Sequence, residues 1–198
     1  MTAATSPFRA ACIQLNAGND LSANITEVAA QIGAAAADGA HFIALPENAL
    51  FMPASAADAR AHAKPEDKHI AVAALSDAAS AVGVWLLAGT VAVAVDDGRL
   101  ANRSLVIGPD GSVVARYDKI HMFDVDLAGE RAYRESETYR PGEAAVTVDL
   151  PWIRLGLSVC YDVRFPGLYR ALVQSGAGML AVPSAFTAAT GKAHWHTL

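Results

Sequence analysis

One short apolar segment restricts the possible folds of this chain more than any other feature. The residues HFIAL at 41–45 are nearly all apolar, and a run this short and apolar is typical of a strand buried on both faces. An Ala-rich helical pattern over 21–40, with a stop signal at Gly39, precedes it. A strand buried on both faces needs a covering layer on each side, so this region predicts a layered α/β protein.

Helix and strand patterns continue to alternate along the rest of the chain. The patterns predict helices over 65–83 and 166–177. They predict strands over the following segments: 8–15, 84–95, 100–108, 113–119, 144–150, 153–160 and 178–186. The turn sequences DDGR and GPDGS separate the strands between 84 and 119, which are expected to form an antiparallel meander. The alternation predicts a single domain over 1–198, a mixed α/β sheet covered by helices.

Two regions depart from this regular alternation. Residues 118–143 are rich in charge, Gly and Pro and are expected to be mostly loop, and a loop this long inside a compact domain is often functional. Residues 190–198 open a helical pattern that contains no stop signal. We therefore expect the chain to lack a C-terminal portion, and the alternative is a natural, frayed terminus.

The composition excludes several classes of protein. With 53% apolar and 18% charged residues, a disordered chain is excluded. The formal charge of −5 and the absence of a long basic run argue against nucleic-acid binding. No apolar stretch reaches membrane-spanning length and no signal-peptide pattern is present. The two cysteines lack metal or disulfide spacing, so we expect a cytoplasmic protein with free thiols, no metal and no cofactor.

Cys160 lies where a predicted strand ends and a turn leads to a helix. Free cysteine is often simply buried, but functional groups in α/β folds collect at the carboxyl ends of strands. A nucleophile there could be met by backbone N–H groups that bind an oxyanion. Cys12 lies inside a strand pattern and is expected to be structural. The choice between a buried side chain and a nucleophile at Cys160 depends on its partners.

A thiol nucleophile needs a base or a lowered pKa. None of the six histidines belongs to a recognisable cysteine-protease signature. Glu47, however, directly follows the apolar strand 41–45, and Lys119 follows another strand. Either residue alone could be an ordinary loop charge. Together with Cys160 they form a constellation at three strand ends, which favours a catalytic site.

Four segments in chain order give the sequence a specific resemblance. ALPENAL, YDKIHMFDVD, GLSVCYDVRFP and PSAFTAATGKAHW resemble the signature segments of the nitrilase, or carbon–nitrogen hydrolase, superfamily, and the last resembles its Nit-type amidase branch. The resemblance implies an αββα sandwich and a catalytic set of Glu47, Lys119 and Cys160. It implies a second glutamate at Glu135, with Glu130 and Glu137 as nearby alternatives. Gly167 stands where many members have glutamate, which could change the support under the site.

The chemistry that these residues suggest is hydrolysis of a small carboxamide to a carboxylate and ammonia through a Cys160 thioester. Lys119 and the Tyr161 backbone N–H would bind the oxyanion. Arg164 could clamp a substrate carboxylate, which favours an omega-amide of a dicarboxylic or 2-oxo acid, or deaminated glutathione. The alternative within the same class is a nitrilase or an N-carbamoyl amidohydrolase.

The resemblance also implies a homo-oligomer. The second hypothesis for the function is a non-catalytic fragment that acts by binding or assembly. A nucleotide-binding domain fits poorly, because no P-loop is present.

Overall fold

The computed structural model describes residues 7–126 and 132–198. Within these ranges the chain forms eleven strands and five α-helices. The strands are β1 (Ala10–Cys12), β2 (Phe42–Ala44), β3 (Trp85–Leu87), β4 (Val91–Ala94), β5 (Leu100–Ile107), β6 (Val113–Asp118), β7 (Asp124–Val125), β8 (Tyr133–Arg134), β9 (Thr147–Asp149), β10 (Arg154–Leu157) and β11 (Met179–Ala181). The helices are α1 (Leu21–Ala37), α2 (Ala56–His62), α3 (Ile70–Val82), α4 (Pro166–Gln174) and α5 (Ala188–His194).

The strands form two main sheets and one hairpin. The six-stranded sheet has the order β1-β2-β3-β5-β4, and β6 pairs with β5. Its β1-β2-β3 part is parallel, whereas β4, β5 and β6 form the predicted antiparallel meander. The three-stranded sheet has the order β11-β10-β9. The strands β7 and β8 form a separate antiparallel hairpin inside the segment that was predicted to be mostly loop.

Two apolar clusters show how the layers stack. One cluster joins α1 and α3 to one face of the six-stranded sheet through Val28, Ile32 and Leu75. The other joins the opposite face, through Leu87 and other residues, to the three-stranded sheet and α4. The order of layers is therefore helix, sheet, sheet, helix, which confirms the αββα sandwich. No helix in the two described ranges is long and apolar enough to cross a membrane.

The helix boundaries follow from local capping chemistry. Asp20 caps α1 by accepting a hydrogen bond from the Ala23 backbone N–H at 3.0 Å. Gly83 ends α3 in the left-handed conformation. The predicted helix over 65–83 is divided, because a 3-10 turn at Glu66–Lys68 precedes α3. The short helix α2 has no predicted counterpart, since Ala59 is its one buried residue and no apolar stripe marks it.

The prediction of one continuous strand over 84–95 was wrong, because the chain bends between β3 and β4. Gly89 occupies the bend with φ = +64°, a region that disfavours side chains. A Cβ atom at Gly89 would lie 1.8 Å from the Pro46 carbonyl oxygen. The glycine therefore leaves room for the turn that follows β2, and Glu47 lies in that turn.

We expect Gly89→Ala to destabilise the fold by about 2–4 kcal/mol, because a left-handed backbone penalty adds to a steric clash with the Pro46 turn. Gly98→Ala is the matched control, since Gly98 also has a positive φ but has open space around it. It should cost about 1–2 kcal/mol. Denaturant unfolding of both variants measures the difference, and equal stability of the two would show that the Pro46 contact carries no energy.

Candidate active site

Glu47 lies at the carboxyl end of β2, in a turn that two neighbouring segments hold in place. The Leu45 backbone N–H donates to the Leu87 carbonyl at 2.9 Å, and the Asn48 backbone N–H donates to Thr90 Oγ1 at 2.9 Å. Asn48 itself has φ = +55°, a conformation that asparagine tolerates better than most residues. The Glu47 side chain is consequently buried, with 6% of its surface exposed.

Lys119 follows β6 and is almost completely enclosed, with 2% of its surface exposed. Its Nζ donates to Glu47 Oε1 at 3.2 Å and to the two oxygens of Glu135 at 3.0 and 2.9 Å. Burial acts to lower the pKa of Lys119, but the charges of Glu47 and Glu135 outweigh it and raise the pKa above the ordinary value. Lys119 is therefore a fixed cation at neutral pH.

Glu135 begins a 3-10 turn after β8, Glu135–Glu137. Besides Lys119, its Oε2 accepts a hydrogen bond from the Phe123 backbone N–H at 2.7 Å. Glu137 is exposed and, in the part of the chain that the structure describes, forms no ion pair with Lys119. Glu130, the other alternative, lies outside the described residues. Of the two described candidates, Glu135 is the one that the structure brings to Lys119.

Asn102 belongs to the same cluster, although the sequence did not single it out. This residue of β5 is 3% exposed. Its Nδ2 donates to Glu47 Oε1 at 2.9 Å and to Glu135 Oε1 at 3.3 Å, so one amide group bridges both carboxylates. No local signal singles out Asn102, because Arg103 and Ser104 follow it in the same strand; it is set apart by its burial, since a buried polar group needs a partner.

Cys160 is the first residue of a 3-10 helix, Cys160–Arg164, that follows β10. Its φ of +49° is left-handed, which costs roughly 1–3 kcal/mol for a residue with a side chain. Its backbone N–H donates to the Pro183 carbonyl at 2.9 Å. The residue is 8% exposed.

Burial, and after it the negative charge of Glu47, raises the pKa of the Cys160 thiol above its ordinary value; Lys119 and a hydrogen bond from the Ala185 backbone oppose the shift. The resting thiol is therefore protonated. Glu47 and Cys160 line the same cavity, so the carboxylate and the thiol belong to one site. The Ala185 backbone N–H donates to Glu47 Oε2 at 3.0 Å, so the Glu47 carboxylate is held by Asn102, Lys119 and Ala185 together.

These groups open onto a cavity of about 510 Å³. Glu47, Lys119, Glu135 and Cys160 line it together with apolar and aromatic side chains such as Phe123 and Phe186. No histidine is present among the described residues that line it. Within the described ranges no group of three or more His, Cys, Asp or Glu side chains could hold a metal ion.

Tyr161 and Arg164 also line the cavity. The Arg164 guanidinium carbon lies 5.7 Å from the centre of the Tyr161 ring, and Arg164 Nη2 lies 3.0 Å from His194 Nδ1 on α5. Among the described side chains, Arg164 forms no ion pair with a carboxylate, in contrast to Arg103 and Arg154. Its positive charge is therefore available to a ligand in the cavity.

Two further predicted positions have a structural outcome. Cys12, expected to be buried, lies on β1 but is exposed, because β1 is an edge strand with little covering its outer part. Gly167 is exposed near the start of α4, and a Cβ atom there would meet nothing within 4 Å. The glycine therefore leaves no gap in the packing under the cavity.

Comparison with known proteins gives consistent matches along the chain. A family described as carbon-nitrogen hydrolase matches residues 9–198. The deaminated glutathione amidase of Yersinia enterocolitica is 40% identical over 191 residues, which cover 95% of this chain and 66% of that protein. Omega-amidase NIT2 of Homo sapiens is 36% identical over 197 residues, which cover 96% of this chain and 68% of that protein. The chain thus spans about two thirds of the length of these relatives.

Solved structures resemble the fold closely. One is Saccharomyces cerevisiae Nit3, a member of branch 10 of the nitrilase superfamily, with a TM-score of 0.81 and 30% sequence identity. The match covers 93% of this chain and 67% of the Nit3 chain. Another is the C. elegans NitFhit protein, with a TM-score of 0.88 and 33% sequence identity. The match covers 98% of this chain and 48% of the NitFhit chain.

Proposed function

The chain belongs to the carbon–nitrogen hydrolase family, and from that premise we propose that it hydrolyses a small carboxamide to a carboxylate and ammonia. The observation that carries the proposal is that the buried Cys160 lines one cavity with Glu47, whose carboxylate is paired with Lys119 at 3.2 Å. This arrangement supplies a nucleophile, a proton acceptor and a cation within one cavity. The amidase names of the two relatives point to the same class of reaction.

Acylation begins when Glu47 takes the thiol proton and the sulfur of Cys160 attacks the amide carbon. The carbonyl oxygen becomes an oxyanion, which Lys119 and the Tyr161 backbone N–H stabilise; one such donor is typically worth about 3–4 kcal/mol. The carbon–nitrogen bond then breaks. Glu47 returns its proton to the nitrogen, ammonia leaves, and the acyl group stays on Cys160 as a thioester.

Deacylation repeats the same roles with water as the nucleophile. Glu47 takes a proton from water, the hydroxide attacks the thioester carbon, and the carbon–sulfur bond breaks to release the carboxylate and restore the thiol. Glu135 holds Lys119 through both of its oxygens and helps to orient substrate or water. Every step uses groups of the protein, the substrate and water.

The substrate that we propose carries a carboxylate at the end remote from the amide. Arg164 lines the cavity with no carboxylate partner among the described side chains, and arginine is suited to two-point binding of carboxylates. An omega-amide of a dicarboxylic or 2-oxo acid has this chemistry and releases ammonia. Deaminated glutathione has it too, but its amide nitrogen leaves as the amine of a dipeptide. The names of the relatives describe such substrates. We further propose a cytoplasmic homo-oligomer, as the resemblance and the free thiols suggest.

A panel of amides tests the proposed substrate class. Arg164→Ala should raise KM for omega-amides that carry a carboxylate by about 10- to 100-fold, because a charge-assisted hydrogen bond is lost. It should leave the KM of neutral amides of the same length almost unchanged. Ammonia release measures both, and Arg170→Ala on the exposed side of α4 is the matched control. Equal effects on charged and neutral amides would exclude the clamp.

A further inference from the structure

Asp162 is a completely buried carboxylate that the proposed mechanism does not use. Its surface is 0% exposed, yet both of its oxygens are occupied. Oδ2 accepts hydrogen bonds from Tyr117 Oη at 2.7 Å and from the Val159 backbone N–H at 2.9 Å. Oδ1 accepts from the His121 backbone N–H at 3.0 Å and from His121 Nδ1 at 2.6 Å. A buried carboxylate persists only with such compensation.

The donors come from two chain segments that are distant in sequence. Tyr117 and His121 stand two residues before and two residues after Lys119. Val159 directly precedes Cys160, and Asp162 follows it by two residues. One side chain thus joins the segment that carries the cation to the segment that carries the nucleophile.

The turn that begins at Cys160 needs such a restraint. β10 ends at Leu157, so the Val159 backbone N–H lies beyond the strand and finds its acceptor in Asp162. The next residue, Cys160, has the left-handed φ that L-residues disfavour. A disfavoured conformation persists only where its surroundings determine it. Here the determinants are the Asp162 carboxylate on one side and the Pro183 carbonyl on the other.

The donors on the lysine side are equally fixed. Burial, followed by the negative charge of Asp162, raises the pKa of Tyr117 above its ordinary value, so its hydroxyl stays protonated and donates. The His121 ring stacks on Phe165, with ring centroids 3.7 Å apart and planes inclined by 7°. The imidazole therefore cannot rotate freely away from Asp162.

We propose that Asp162 is a positioning residue that fixes the Cys160 turn against the Lys119 segment, so that thiol, base and cation stay in reacting geometry. This role rests on the proposed amide hydrolysis. Because Asp162 does not line the cavity, its loss should act on the chemical step rather than on substrate binding.

Asp162→Asn tests the proposal, since it keeps the shape but places an NH₂ group against donors. Per folded molecule, we expect kcat to fall about 100-fold, the effect of a displacement near 1 Å, while KM stays within about threefold. The rate of Cys160 alkylation by iodoacetamide, measured in a Cys12→Ser background, should fall at least about tenfold. Wild-type values of kcat and of the alkylation rate in folded Asp162→Asn protein would overturn the proposal.

Tyr117→Phe is the second variant and decides the matter if Asp162→Asn does not fold. It removes one donor and keeps the ring, so kcat should fall about three- to tenfold at unchanged KM. Tyr169→Phe is the matched control: it removes a hydroxyl hydrogen bond of 2.8 Å to Ser158, near the same turn, and leaves all four hydrogen bonds of Asp162 in place. Equal kcat in wild type and Tyr117→Phe would overturn the proposal. A wild-type protein that released neither ammonia nor an amine from any amide tested would contradict the proposed function, whereas the alkylation rates would still test Asp162.

Discussion

Replacement of Cys160 by alanine should abolish ammonia release from every amide that the wild-type protein hydrolyses, with a loss of at least about 10⁴-fold in kcat. The reason is that, in the described part of the cavity, the Cys160 thiol is the nucleophile that interacts with both Glu47 and Lys119. Without it no acyl group can be held, and water would have to attack an unactivated amide directly.

Intact mass spectrometry checks the same prediction independently of the ammonia assay. Wild-type protein quenched during turnover should gain the mass of the acyl group, and Cys160→Ala should gain nothing. Cys12→Ser is the control, because Cys12 is exposed and would otherwise react with general thiol reagents. It should keep full activity and the acyl adduct. Hydrolysis by Cys160→Ala at an undiminished rate would remove the thioester from the mechanism.

Replacement of Lys119 by methionine should have the second largest effect, on both rate and stability. The oxyanion loses a donor, so kcat should fall by about 10²- to 10³-fold. At the same time the buried carboxylate of Glu47 and the partly buried carboxylate of Glu135 lose their cation, which should cost about 3–5 kcal/mol of unfolding free energy at neutral pH. Because the pKa of Lys119 is raised in the folded protein, its contribution is present at neutral pH and would be lost only under strongly alkaline conditions.

A double variant separates these two effects. Adding Glu135→Gln to Lys119→Met removes one of the unpaired charges, so it should restore much of the stability and none of the activity. Lys68→Met, at an exposed lysine, is the control and should change neither. Chemical denaturation and initial rates measure both quantities. A Lys119→Met single variant as stable as the wild type would mean that pairing with Lys119 contributes nothing to the free energy of unfolding.

Most elements could be predicted from the sequence because their signals are local, whereas the order of the layers was implied by the resemblance to the family. Asp20 and Gly83 cap helices whose apolar faces are periodic, and the apolar run at 41–45 becomes a central strand. The bend at Gly89 could not be predicted, since its cause is the carbonyl of Pro46, a contact that exists only in the folded chain. The helix α2 was not predicted, because its one buried residue, Ala59, produces no periodic apolar pattern.

Some residues of the candidate site could likewise be predicted from the sequence, and others could not. Glu47, Lys119 and Cys160 each follow a strand, and the position of a strand end can be inferred from the sequence. The resemblance to a family then selected Glu135. Asn102 and Asp162 were missed because one lies within a strand pattern and the other in a turn, where asparagine and aspartate are ordinary. Their roles arise from partners 55 and 41 residues away, which no local pattern contains.

The hydrogen bond between the Ala185 backbone N–H and Glu47 joins residues separated by 138 positions. Contacts of such high sequence separation form late in folding, because the entropy of closing a long loop is lost before the contact stabilises anything. Helices α1 and α3 can form and dock on their own sheet without it. We therefore expect the site to be complete only when the two sheets meet, so that regain of amide hydrolysis should follow regain of helical circular dichroism during refolding.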